Sequence, residues 1–133
     1  MANRVVHFEI EAKDSKRAQK FYSEAFGWKM EPQGEEYGNY VVATTGPPKE
    51  PMGINGGIFQ TMNGGDKKLN AYRCIIGVDD IEKAIKDVKA SGGKIIGEKP
   101  DDIKYVGLFI RCEDTEGNVF ALLQPSLDMM PKS

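Results

Sequence analysis

The chain has one histidine and two cysteines in 133 residues, and each shortage removes a class of explanation. Cys74 and Cys112 sit in strand-like segments with no Cys or His close by, which excludes zinc-type spacing and a disulfide framework. They are expected to be reduced core thiols. No stretch nears the ~20 apolar residues that span a bilayer, and Met1-Ala2-Asn3-Arg4 lacks the apolar run of a signal peptide. The expectation is a cytoplasmic protein with no membrane contact. Charge of one sign is also missing. With 18 Lys+Arg against 20 Asp+Glu, a net charge of −2 offers no basic field to hold nucleic acid. The length suits one domain, or two small halves sharing a core.

What is present begins with Val5-Val6-His7-Phe8-Glu9-Ile10-Glu11. Strand side chains alternate between faces, so His7, Glu9 and Glu11 share one side and Val6, Phe8 and Ile10 the other. Lys13-Asp14-Ser15 then supplies a helix N-cap; Ala18, Phe21, Tyr22 and Ala25 recur at helical spacing, and Gly27 stops the helix. Short strands follow at Trp28–Met30, Tyr37–Thr45 and Gly56–Thr61, with a polar turn over Glu31–Glu36 and a proline-fixed loop over Gly46–Pro51. Asn63–Lys68 reads as a linker. Beyond it, Leu69–Gly77 reads as a strand. Asp79 and Glu82 have capping-box spacing before the helical stripe Ile81, Ala84, Ile85 and Val88, and the helix ends at Ser91-Gly92-Gly93. Lys94–Gly97 reads as a strand, Pro100–Lys104 as a loop, and Val106–Cys112 and Asn118–Gln124 as the last strands.

Both halves therefore read strand, helix, strand, strand, strand. At an offset of 66, Ala18 falls on Ala84, Lys20 on Lys86, Gly27 on Gly93 and His7 on Arg73; after loop shifts, Tyr40 matches Phe109, Gln60 matches Gln124 and Gly57 matches Ala121. A duplicated unit explains this agreement; two unrelated α+β halves are the alternative. The expected organisation is one domain of two modules, about 4–62 and 69–125, joined by 63–68 and followed by a tail, 126–133.

A duplicated βαβββ unit, with Phe21-Tyr22-Ser23-Glu24-Ala25-Phe26-Gly27-Trp28 early and Asp114-Thr115-Glu116-Gly117-Asn118-Val119-Phe120 late, resembles the vicinal oxygen chelate superfamily, which includes glyoxalase I, bleomycin-resistance proteins and extradiol dioxygenases. The resemblance covers Arg4 to Gln124. It implies an α+β fold of two tandem modules whose curled sheets form a cup, with helices on the convex faces. In metal-dependent members one side chain from the first and last strand of each half reaches a metal in that cup. Here those positions are His7, Gly57, Arg73 and Ala121, of which only His7 is an ordinary ligand. Arginine stays cationic without a lone pair. No metal and no cofactor are therefore expected.

Alternation brings His7 and Glu9 into the cup with Tyr40, Phe59, Arg73, Phe109 and Arg111, leaves Leu108, Ile110 and Cys112 facing the helix, and places Trp28 at the rim. Arginine forks suit carboxylates or phosphates and aromatic faces suit planar rings, so the first reading is a small aromatic or anionic ligand. The bland reading is a salt bridge from Arg73 to Glu9, with Tyr40 and Phe109 as packing. An enzyme of lyase or isomerase type, with His7 as general base and Arg73 at a developing oxyanion, is a second class. An accessory interaction module, including a homodimer, is a third. A cup filled by Tyr40, Phe59 and Phe109 would count against an open small-molecule site.

Overall fold

The structure, a computed structural model, describes residues 3–48, 53–61 and 72–126. The linker read at 63–68, residues 69–71 of the next strand, and residues 127–133 of the tail lie outside the described residues. Within them the order is β1 (Arg4–Ala12), α1 (Ser15–Phe26), β2 (Lys29–Pro32), a 3-10 turn (Glu35–Tyr37), β3 (Val41–Thr44), β4 (Gly56–Gln60), β5 (Tyr72–Gly77), α2 (Ile81–Ala90), β6 (Lys94–Ile103), β7 (Gly107–Glu113) and β8 (Val119–Pro125). This is a mixed α+β fold. None of the described helices is long and apolar enough to cross a membrane.

The chain divides into two compact units, His7–Arg73 and Met1–Val6 with Cys74–Ser133. In the first the strand order is β2-β3-β4-β1, with β1 and β4 parallel and the other pairs antiparallel. The order β5-β8-β7-β6 of the other half repeats that pattern, with β5 and β8 parallel.

Each helix is started by the same two devices. Asp14 caps α1 by accepting from the Arg17 N–H at 3.1 Å, and Asp80 caps α2 by accepting from the Lys83 N–H at 3.2 Å. The first helical N–H of α1, on Ser15, donates to Gln60 Oε1 at 2.8 Å, and that of α2, on Ile81, donates to Gln124 Oε1 at 3.0 Å. The last strand of each half thus holds the start of its own helix. Gly27 closes α1 in the left-handed region, where an L side chain would be strained.

Several boundaries differ from the sequence reading. The cap of α2 is Asp80, not Asp79, because helical geometry begins at Ile81 and the acceptor must face the third helical N–H. Asp80→Ala should cost about 1 kcal/mol in urea unfolding and Asp80→Asn only a few tenths, since asparagine caps equally well. An equal loss in both variants would show that the charge, not the cap, matters. Pro100–Lys104 is not a loop: β6 runs on to Ile103 with a register shift between Ile96 and Asp101. The polar turn starts later, since Glu31 and Pro32 belong to β2, and Tyr37 closes the 3-10 turn rather than opening β3.

The alternation holds for Phe8 and Ile10, whereas Val6, expected beside them, packs with Ile75, Phe109, Ala121 and Leu123 instead. In the first unit Ile10, Val41 and Ile58 are buried with Phe8, Ala12, Ala18, Tyr22, Trp28 and Met30 around them. Trp28 is thus part of the helix-side packing, stacked on Tyr22 at 4.9 Å, rather than a rim residue. In the second unit Ile110, Cys112 and Leu122 pack under Ile81 and Ile85 of α2, with Leu108 beside them. Burial pushes the Cys112 thiol up to about 11, the behaviour of an inert core thiol. Cys74 corrects the expectation for its partner, since it is exposed.

Candidate functional site

Because Phe8, Ile10 and Ala12 face the α1 core, His7, Glu9 and Glu11 share the opposite face of β1. Register then fixes their neighbours: Gly57 lies beside Glu9, Phe59 beside Glu11, and Val42 beside Gly57. Tyr40, two residues before Val42, joins that face. Its hydroxyl lies 3.1 Å from His7 Nε2. Desolvation holds the His7 imidazole below its ordinary value, so the ring is neutral at pH 7 and can use Nε2 as either acceptor or donor toward Tyr40. Glu9 is buried at 4% exposure.

Arg73 Nη2 lies 3.6 Å from Glu11 Oε2, with the two side chains 8% and 7% exposed. The guanidinium carbon is 5.7 Å from the centroid of the Phe59 ring. Besides Glu9, the partner expected from parity, Glu11 is thus a carboxylate that faces Arg73. Both carboxylates have the right parity on β1, but Glu11 is the one whose register partner is the Phe59 that carries the guanidinium.

Phe109 and Arg111 belong to the second unit, where the Arg111 guanidinium carbon stands 5.1 Å from the Phe109 ring centroid. They help wall an open cleft of about 340 Å³, together with Ile96, Glu98, Lys99 and Asp101. The register shift in β6 falls between Ile96 and Asp101, the stretch that lines it. Opposite Arg111 on β8 is Ala121, buried at 3% among Ile75, Phe109 and Leu123.

The structure therefore brings His7 to Tyr40, Arg73 to Phe59 and Phe109 to Arg111. Glu11 and the β6 residues around Lys99 were missed. Glu11 carried a signal, its shared parity with His7 and Glu9; Lys99 and its neighbours carried none, because Pro100 made the segment read as a loop.

The side chains at the positions that the resemblance implies for a metal do not fit a divalent ion, which needs several neutral or anionic donors. Gly57 offers none, and a Cβ built there would lie 1.8 Å from the Tyr40 hydroxyl oxygen. His7 Nε2 is engaged by that hydroxyl, Arg73 is cationic beside Glu11, and Ala121 is apolar. Among the described residues no three His, Cys, Asp or Glu side chains converge as a metal-binding group.

The strand and helix order places the chain in the class of α+β proteins built on the glyoxalase-type fold. The chain belongs to the Glyoxalase/Bleomycin resistance protein/Dioxygenase superfamily, whose family model matches residues 4–122. A glyoxylase-like domain-containing protein of Didymella fabae is 32% identical over 115 residues, covering 86% of this chain and 88% of that protein. Among solved structures, a hypothetical protein from Bacillus halodurans C-125 superposes with a TM-score of 0.71 at 14% identity, covering all of both chains. A methylmalonyl-CoA epimerase in complex with methylmalonyl-CoA and NH4+ gives a TM-score of 0.70 at 13% identity, covering 98% of this chain and 100% of the other. The methylmalonyl-CoA epimerase from Mycobacterium tuberculosis gives 0.65 at 15% identity, covering 92% and 87%.

Proposed function

We propose that this chain is a metal-independent member of the superfamily that binds a small aromatic or anionic molecule. The observation that carries the reading is the open cleft of about 340 Å³ beside Phe109 and Arg111. Small-molecule sites usually start near ~300 Å³ and combine apolar walls with a few placed polar groups. An arginine fork meets a carboxylate or phosphate in two parallel hydrogen bonds, and a planar ring can lie against Phe109. His7, Glu9, Tyr40, Phe59 and Arg73 are the polar and aromatic residues of the first unit in this reading. Metal independence rests on the donor set just described. We place the protein in the cytoplasm, as a possible homodimer, with no nucleic-acid partner.

The test is a thermal-shift screen of aromatic acids, planar drug-like compounds and thiol conjugates on the purified chain. A ligand at ~100 times its dissociation constant stabilises the fold by about 2.7 kcal/mol. Arg111→Lys keeps the charge but loses the fork, and should weaken an anionic hit about tenfold. No stabilising compound in any class would overturn the reading.

A second reading, an enzyme of lyase or isomerase type, is favoured by one observation: a neutral, half-buried imidazole hydrogen-bonded to a phenol pairs a base with an acid. Arg73, already beside Glu11, is less suited to greet a developing oxyanion. Incubation with methylmalonyl-CoA in heavy water decides it. Uptake of deuterium that is lost in His7→Ala supports the enzyme.

A further inference from the structure

The outward face of α1 carries a charge pattern that the helix itself does not favour. Ala18 and Tyr22 pack into the core of the first unit, so at helical spacing Arg17, Lys20, Phe21 and Glu24 form a row on the opposite side, and all four are exposed. Phe21 keeps 57% of its surface in water, and Phe26, at the end of the helix, keeps 64%. Their rings meet edge to face with centroids 6.3 Å apart, and Tyr22 braces Phe21 in the same way at 5.0 Å. The charges beside these rings run against the helix dipole. No acidic residue stands in the first turn, which holds Lys16 and Arg17, and no basic residue in the last, which holds Glu24. The other helix, α2, has the favourable arrangement, with Glu82 in its first turn and Lys89 in its last. Arg17 meets Asp14 only at 4.0 Å on the surface, and its fork of five donors has capacity for a further carboxylate.

We propose that a second copy of this chain docks on this face, with the two α1 helices antiparallel across a twofold axis between positions 20 and 21. Such an axis sets Arg17 of each copy against Glu24 of the other, and Lys20 against the Phe21 ring, so one row of four residues is complementary to itself. The same arrangement removes the conflict with the dipole. In an antiparallel pair the first turn of one helix lies beside the last turn of the other, which brings Lys16 and Arg17 to a negative helix end and Glu24 to a positive one. A parallel pair would instead set like charges together, and an anionic partner would be repelled by Glu24 in the same row. One helix of 12 residues covers less than the ~800 Å² per partner of a standard interface, so the dimer is weak and depends on concentration. The homodimer proposed above gains a surface in this way, and the assignment rests on that homodimer; ligand binding beside Phe109 and Arg111 is independent of it.

Sedimentation velocity over a wide range of concentration tests the surface. The wild type should pass from monomer to dimer as its concentration rises. Arg17→Glu sets carboxylate against carboxylate and Glu24→Arg sets guanidinium against guanidinium, twice per dimer by symmetry, so each should weaken self-association at least about tenfold. An equimolar mixture of the two variants should restore association, because both contacts of the mixed pair again join opposite charges. The charge-exchanged double variant Arg17→Glu with Glu24→Arg should associate like the wild type, which keeps the contact testable if one single variant does not fold. A wild-type dimer that neither single variant weakens overturns this surface and leaves the homodimer to another face. Single variants that dissociate alone and stay apart when mixed overturn the antiparallel pairing. A wild type that remains monomeric at the highest concentration reached overturns the surface and the homodimer together, while the ligand screen on the same chain decides the reading at Phe109 and Arg111 separately.

Discussion

Arg73→Ala should lower the stability of the chain by about 3–5 kcal/mol, the usual cost of removing one partner from a buried ion pair. The cost comes chiefly from what is left behind. Glu11 is as buried as Arg73, with side-chain exposures of 7% and 8%, so the carboxylate would lose its cation without gaining water. The guanidinium also covers the Phe59 ring, and its removal strips packing as well as charge. Replacing both partners, as Arg73→Met with Glu11→Gln, should recover most of the loss, because desolvating two charges is itself expensive. Urea unfolding of the two single variants and the double measures the coupling. A loss below about 1 kcal/mol in Arg73→Ala, sensitive to salt, would mean that the pair is screened as a surface bridge is. The result bears on function as well, since an arginine that the fold itself requires is a poorer candidate for a purely catalytic role.

Parity was the legible part of this sequence. The faces of β1 and β7 follow from alternation alone, which is why His7 and Tyr40 meet and why Leu108, Ile110 and Cys112 pack away from Phe109 and Arg111. Helix starts and stops were nearly as clear, since Asp14 and Gly27 stand where capping chemistry puts them. Parity cannot tell position i from i+2, so it gave no reason to single out Glu11 as a neighbour of Arg73. It is equally silent on strand continuity across a bulge. Pro100 reads as a breaker, yet β6 ends its sheet order, and an edge strand tolerates a residue without an N–H. The walls of the Phe109–Arg111 cleft were hidden for that reason. Least legible was the reach of Tyr40, because a ring crossing to His7 depends on what Gly57 lacks, and an absent side chain has no pattern of its own.

Gly57→Glu, which installs a carboxylate at a position that the resemblance to metal-dependent members implies for a ligand, should destabilise the chain by about 3 kcal/mol. Its Cβ alone would collide with the Tyr40 ring, and the carboxylate would follow into the space that ring now occupies. The strain should be specific to that contact. In a Tyr40→Ala background the same substitution should cost about 2 kcal/mol less, a coupling that only direct neighbours produce. Relief of strain should not create a metal site. With the new carboxylate in place, His7 would have one anionic donor beside it, but Arg73 would still put a cation at a third position and Ala121 would supply nothing at the fourth. Metal analysis after dialysis should therefore find far less than one divalent ion per chain in the wild type, in Gly57→Glu and in the double variant. About one ion per wild-type chain, lost in His7→Ala, would show that Tyr40 yields its place to a metal and would make the phenol a cap on a metal site.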